Sequence, residues 1–201
     1  MRQAATTETG APDGFAVCIR RGAKQIGGTC VELACEGQRL LLDLGLPLDA
    51  EDKEPEAFLP EVSGVRAPDP SLLALLLSHG HADHWGLAAC APHLPIIAGA
   101  ATRRILRAAS AFAPRPIPAG LDAPGVPDLA DREKFQLGPF RITPYLVDHS
   151  AYDAFALLVE AKGRRLFYSG DLRGHGHKAA LFERLVAHPP RPIRSMAYPL
   201  Q

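Results

Sequence analysis

The segment His79-Gly80-His81-Ala82-Asp83-His84 packs three imidazoles and a carboxylate into one short stretch, directly behind the apolar run Leu72-Leu73-Ala74-Leu75-Leu76-Leu77. Imidazole nitrogen and carboxylate oxygen suit zinc and similar divalent ions. Four such donors at a strand end are too many for one tetrahedral ion that must also keep an open position. The spacing therefore predicts two ligands for each of two adjacent metals. That arrangement points to metal-assisted hydrolysis and requires further ligands elsewhere in the chain.

The rest of the chain supports a globular host for such a site. Its 201 residues fit one domain with a substantial core. Apolar residues make up 47% and the formal net charge is zero, so bulk charge gives no support to nucleic-acid binding. Frequent Gly and Pro suit a loop-rich α/β protein better than a helical bundle. No apolar run approaches the roughly 18–20 residues of a membrane span. Residues 1–14 are polar, lack the apolar centre of a signal peptide and read as a disordered lead-in. Cys18, Cys30, Cys35 and Cys90 form no Cys-x-x-Cys pair and read as buried, reduced thiols of a cytoplasmic protein.

Periodicity predicts strands over 15–20, 29–34 and 39–43, the last two joined by a turn at Cys35-Glu36-Gly37-Gln38. Residues 45–70 read as loop with one helical turn, and 72–78 as a fully buried strand. A helix is expected to begin near Trp85, with a short strand at 95–98. Residues 100–112 read as a helix with Ile105 and the alanines inward and Arg103, Arg104 and Arg107 on a solvated face. Strands follow at 135–137 and 140–147, where Pro144 suggests an edge or irregular position. A hairpin at 154–168 turns at Lys162-Gly163, and 178–187 reads as an amphipathic helix. This order predicts a sheet core with helices packed outside.

Two later positions extend the metal pattern. His149 follows the strand at 140–147, and Asp171 follows the strand at 164–168, each just past an apolar segment as His79 is. Strand ends of one sheet converge on a shared crevice, where distant groups meet. Gly80 and Gly170 would permit tight backbone at these turns.

With Asp43 at the end of Leu40-Leu41-Leu42-Asp43, the chain resembles the metallo-β-lactamase fold superfamily of αββα metallohydrolases. Gly27-Gly28-Thr29-Cys30, Asp43-Leu44-Gly45, His149-Ser150 with Asp153, and Tyr168-Ser169-Gly170-Asp171 look closest to its RNA-processing branch, the β-CASP, RNase J-like nucleases. The resemblance covers roughly residues 15–190. It implies that His79, His81 and His149 hold one metal, that Asp83 and His84 hold the second, and that Asp171 bridges both. Asp43 would orient the histidine loop. Asp83, His84 and Asp171 would carry catalysis. The cofactor implied is a pair of divalent ions, zinc first, with manganese or iron also fitting the ligands. The implied reaction is hydrolysis of RNA or another phosphodiester by a metal-bridging hydroxide.

Ordinary explanations compete at each position. Asp83 is also a typical N-cap, His79 alone would pass as a core histidine, and Asp43 and Asp171 are both turn residues. His175 and His177 read as exposed loop histidines, and His93 and His188 have no supporting context.

The family pattern places one more histidine after the helix at 178–187, and none follows His188. The tail 191–201 does not resemble the family's next strand. The expectation is an αββα domain incomplete at its C-terminal end, truncated or frame-disrupted before the β-CASP cap, whose exposed strand edges would promote homo-oligomers. Two other functions stay open: a glyoxalase-II-like hydrolase of thioesters, lactones or β-lactams, and a metal-binding module with little activity.

Overall fold

Alternation of side chains about each strand divides the apolar residues into three layers. A computed structural model of the chain describes residues 14–50, 54–112, 116–190 and 195–197. The expected lead-in at 1–14 lies outside these residues except for Gly14. The first sheet has the order β1 (Ala16–Arg21), β2 (Cys30–Cys35), β3 (Gln38–Leu42), β4 (Leu72–Leu76) and β5 (Ile96–Ile97). The second contains β6 (Phe135–Leu137), β7 (Phe140–Val147), β8 (Ala154–Ala161), β9 (Arg164–Tyr168) and β10 (Ser195–Ala197), hydrogen-bonded in the order β10-β9-β8-β7-β6. β10 runs parallel to β9, so the tail does supply a strand at 195–197, against expectation.

Leu40 and Leu42 point into the core shared by the two sheets, meeting Phe155, Leu157 and Val159 from β8. The intervening Leu41 faces outward, joining Leu75 and Leu77 beneath Leu87 and Ala88 and beneath Leu106 of α2 (Ala100–Ala109). On the opposite outer face, Ala156, Leu158 and Phe167 pack with Leu185 of α3 (Ala179–Ala187). The result is an αββα sandwich. The β2–β3 and β8–β9 turns carry two consecutive positive φ values, at Glu36-Gly37 and Lys162-Gly163, as type I′ hairpins require, whereas the β6–β7 turn has one, at Gly138. The strand β4, flanked on both edges, explains the continuous apolar run. Pro144 lies in β7 beyond the end of β6, where its carbonyl accepts a bond from Arg132 N (2.7 Å) instead of from a strand. It therefore occupies a local edge of an inner strand.

The face expected for α2 is wrong. Ile105 is half exposed, whereas Arg103 is buried. Arg103 Nε donates to Asp128 (2.8 Å), and its terminal nitrogens donate to the carbonyls of Leu121 and Ile96. A buried guanidinium is tolerated because these distant acceptors satisfy it. The helix near Trp85 is shorter and earlier than expected: α1 (Ala82–Trp85), followed by a 3-10 turn at Ala88–Cys90. Cys18 is exposed on β1, not buried, Cys90 is half-buried, and none of the four cysteines forms a disulfide. Among the described residues, no helix is long and apolar enough to cross a membrane.

Candidate metal centre

Strands β3 and β4 are parallel neighbours, and β7 and β9 both run antiparallel to β8. Their C-terminal ends therefore come to one rim, linked across the sandwich by the bond from Phe155 N to Ser78 O (2.9 Å). Asp43 follows β3, Ser78 and His79 follow β4, His149 follows β7 and Asp171 follows β9.

The histidine loop is held by the turn after β3. Leu44 N donates to His84 O (2.8 Å), Leu46 N to Ala82 O (3.1 Å) and Thr29 N to Asp83 O (3.2 Å). The approach is so close that a Cβ on Gly45 would stand 1.6 Å from Asp83 O. This is why a glycine follows Leu44. Gly170 adopts left-handed backbone (φ 53°), as expected, whereas Gly80 is not among the positive-φ glycines.

The imidazoles converge. His81 Nδ1 lies 3.1 Å from both His79 Nε2 and His149 Nε2. Donor atoms of His79, His81 and His149 form one group that could hold an ion, and those of His79, His84 and Asp171 form another. His84 Nε2 is 3.3 Å from Asp171 Oδ1 and 3.6 Å from Asp83 Oδ2. Asp83 thus lies near the second group without belonging to it. It is not the N-cap of α1 either; His81 holds that position with no side-chain cap bond. The loop histidines His175, His177 and His188 are exposed, and His93 meets Gly64 O (2.9 Å).

Buried hydrogen bonds fix the ring orientations. Asp43 is fully buried and left-handed (φ 59°). Its Oδ1 accepts from Ser78 N (2.7 Å), and its Oδ2 accepts from Ser78 Oγ (2.7 Å), Tyr168 Oη (2.5 Å) and His84 Nδ1 (2.7 Å). The Ser78 hydroxyl proton is thereby committed to Asp43, so His79 Nδ1, 3.0 Å away, donates to Ser78 Oγ and leaves its Nε2 lone pair facing the site. Burial and the neighbouring His84 push the His79 pKa down to about 2. Burial also opposes charge on His84, but the Asp43 carboxylate and then Asp171 outweigh it and raise its pKa to about 10. Burial would raise Asp171, yet its hydrogen bond to His84 and that ring's charge hold it at about 2. Burial lowers His149.

One support entered the sequence reading only as part of the resemblance, and another escaped it. Asp153 caps the start of α2 from the second sheet, accepting from Ala101 N (2.9 Å) and the Thr102 hydroxyl. Asp148, fully buried beside His149, faces Arg173 Nε at 3.5 Å, and its carbonyl accepts from Arg173 N (2.8 Å). Both tie down the loop that carries His149. A cleft of about 480 Å³ near Arg141, Glu160 and Lys162 lies at the opposite end of β8. Three of its four lining cations are paired, Arg141 and Arg165 with Glu160 and Lys162 with Glu36, so it competes poorly with the rim as a site of chemistry.

The family model of the beta-lactamase superfamily domain matches residues 41–187, which contain every donor just described. The chain belongs to that superfamily. Within it, Ribonuclease J of Mycolicibacterium smegmatis is 24% identical over 169 residues, covering 81% of this chain and 29% of the ribonuclease. The chain thus spans under a third of that relative's length. Among solved structures of this superfamily fold, a metallo-beta-lactamase of Cronobacter sakazakii superposes with a TM-score of 0.62 at 18% identity, over 86% of this chain and 71% of that one. A protein of unknown function from Enterococcus faecalis V583 superposes with a TM-score of 0.70 at 23% identity, over 86% and 47% of the two chains. The metallo-β-lactamase αββα fold expected from the motifs is therefore the fold of this protein.

Proposed function

We propose that this chain is a metal-dependent phosphodiesterase that acts on RNA or DNA with two divalent ions, zinc first among them. The observation that carries the reading is the convergence of His79, His81, His149, His84 and Asp171 into two donor groups that share His79. The donor chemistry fits the ions: four imidazoles and one carboxylate, held by buried partners. Two ions held there would lower the pKa of a water toward ~7 and offset charge on the scissile group.

The remaining work falls to the protein's own side chains. His79, His81 and His149 form the first site. His84 and Asp171 would form the second, with Asp83 joining from α1, 3.6 Å from His84 Nε2, and Asp171, 3.8 Å from His149 Nε2, would serve both. Asp43 keeps the His84 ring turned so that Nε2 faces Asp171. A nucleic-acid substrate draws its support from the similarity to Ribonuclease J.

The test is hydrolysis of end-labelled single-stranded RNA by zinc-loaded protein, beside a thioester and a β-lactam. RNA cleavage that is lost in His79→Ala and on chelation supports the proposal. Turnover of the thioester or β-lactam alone would replace it with carbon-centred hydrolysis.

A further inference from the structure

We infer that Tyr168 is a positioning residue of this centre, acting through Asp43 on His84 and so on one ion site more than on the other. The inference rests on the metal-centre reading above.

Tyr168 is the last residue of β9, fully buried, with its ring in the core between the sheets. Its hydroxyl donates to Asp43 Oδ2 (2.5 Å), 125 positions away on the other sheet. The same oxygen accepts from His84 Nδ1 (2.7 Å). Three residues past Tyr168, after the left-handed turn at Gly170, Asp171 Oδ1 lies 3.3 Å from His84 Nε2. One strand end thus reaches both nitrogens of the same ring, Nδ1 through Tyr168 and Asp43 and Nε2 through Asp171. The hydroxyl fixes the spacing between the two sheets at the point where the His84–Asp171 pair spans them.

The other donor group is tied differently. His79 meets this network through Ser78 Oγ (3.0 Å) and through ring contact with His84 but makes no hydrogen bond to Asp43 or Tyr168 among the described residues, and His149 hangs on the loop braced by Asp148 and Arg173. Losing the hydroxyl should therefore loosen the group of His79, His84 and Asp171 and spare the group of His79, His81 and His149. Outer partners of ligating histidines typically contribute about 10–100-fold in metal affinity.

The experiment is calorimetric titration of zinc into chelator-treated protein. His84→Ala identifies which binding step belongs to that residue. Tyr168→Phe keeps the ring and should weaken that step by about 10–100-fold while leaving the other within about threefold. Asp43→Asn preserves shape and should give the same selective loss, which covers a failure of Tyr168→Phe to fold. Thr143→Val removes a different buried hydroxyl, one with no hydrogen-bond partner among the described residues, and should change neither step. Unchanged binding in Tyr168→Phe, or equal weakening of both steps in either variant, overturns the assignment to Tyr168 alone. Fewer than two ions in the unaltered protein overturns it together with the two-metal reading.

Discussion

His84 Nδ1 lies 2.7 Å from Asp43 Oδ2, although the residues are 41 positions apart and Asp43 stands in left-handed backbone. The carboxylate also satisfies Ser78 and Tyr168 in a fully buried setting. Asp43→Ala leaves those donors without an acceptor, at about 1–3 kcal/mol for each orphaned group. The expected loss of stability is therefore at least about 3 kcal/mol, read as a shift in the urea midpoint. An unchanged midpoint would mean that Asp43 is not the hub of the network.

Zinc binding should release protons in a pH-dependent way. The His84 pKa in metal-free protein is raised to about 10, so the ring is charged at pH 8 and must lose a proton for Nε2 to ligate. His79, lowered to about 2, is already neutral and contributes none. Calorimetry at pH 8 in buffers of different ionisation enthalpy should show about one more proton released by the unaltered protein than by His84→Ala. The linked stability has a definite sign. Because the folded pKa is raised above the ordinary 6.5, His84 stabilises metal-free protein fully below pH 6.5 and loses that contribution as pH rises toward 10.

Gly45 tests the clamp on the histidine loop. Its added methyl would collide with Asp83 O at 1.6 Å, backbone that cannot swing away. Gly45→Ala should lower the melting temperature and zinc affinity together. Gly37→Ala sets the comparison: Gly37 has φ 73° but open space around it, so the change costs about 1 kcal/mol of backbone strain and leaves zinc affinity intact. Equal zinc affinity in the two variants would remove Gly45 from the clamp.

Asp69 gives an acid-range test away from the site. Hydrogen bonds from the Ser71 hydroxyl, Ser71 N and Ser63 lower its pKa from 3.8 to about 2. Since the folded pKa is depressed, the contribution is present above about pH 4 and lost as pH falls through 2. Asp69→Asn should be less stable than the unaltered protein at pH 6, and the gap should close toward pH 2. A gap independent of pH would contradict the carboxylate's role in pinning the turn before β4.

Much of this arrangement was legible in the residues themselves. Leu72–Leu76 reads as a buried strand because apolar sequence of that length has few other uses, and His79 to His84 reads as a ligand cluster because four donors are crowded together. His149 and Asp171 were recognisable by their positions just past strands, and these loops do meet at one rim. The inward turn of Arg103 was not legible, because its acceptors at Asp128, Leu121 and Ile96 are close only after folding. For the same reason the Tyr168 hydroxyl carried no signal: nothing near it in sequence indicates a carboxylate on the opposite sheet. Adjacency brings the Asp83 carboxylate to 3.6 Å from His84 Nε2, but its distance from the remaining donors, which leaves it outside both groups, depends on how α1 sits after folding.

The most direct test of the two-ion centre is elemental analysis of protein stripped by chelation, re-supplied with zinc and freed of excess. About two ions per chain are expected, falling to one or fewer in His79→Ala because His79 belongs to both donor groups. Retention of no zinc by the unaltered protein, or equal retention by His79→Ala, would contradict the account.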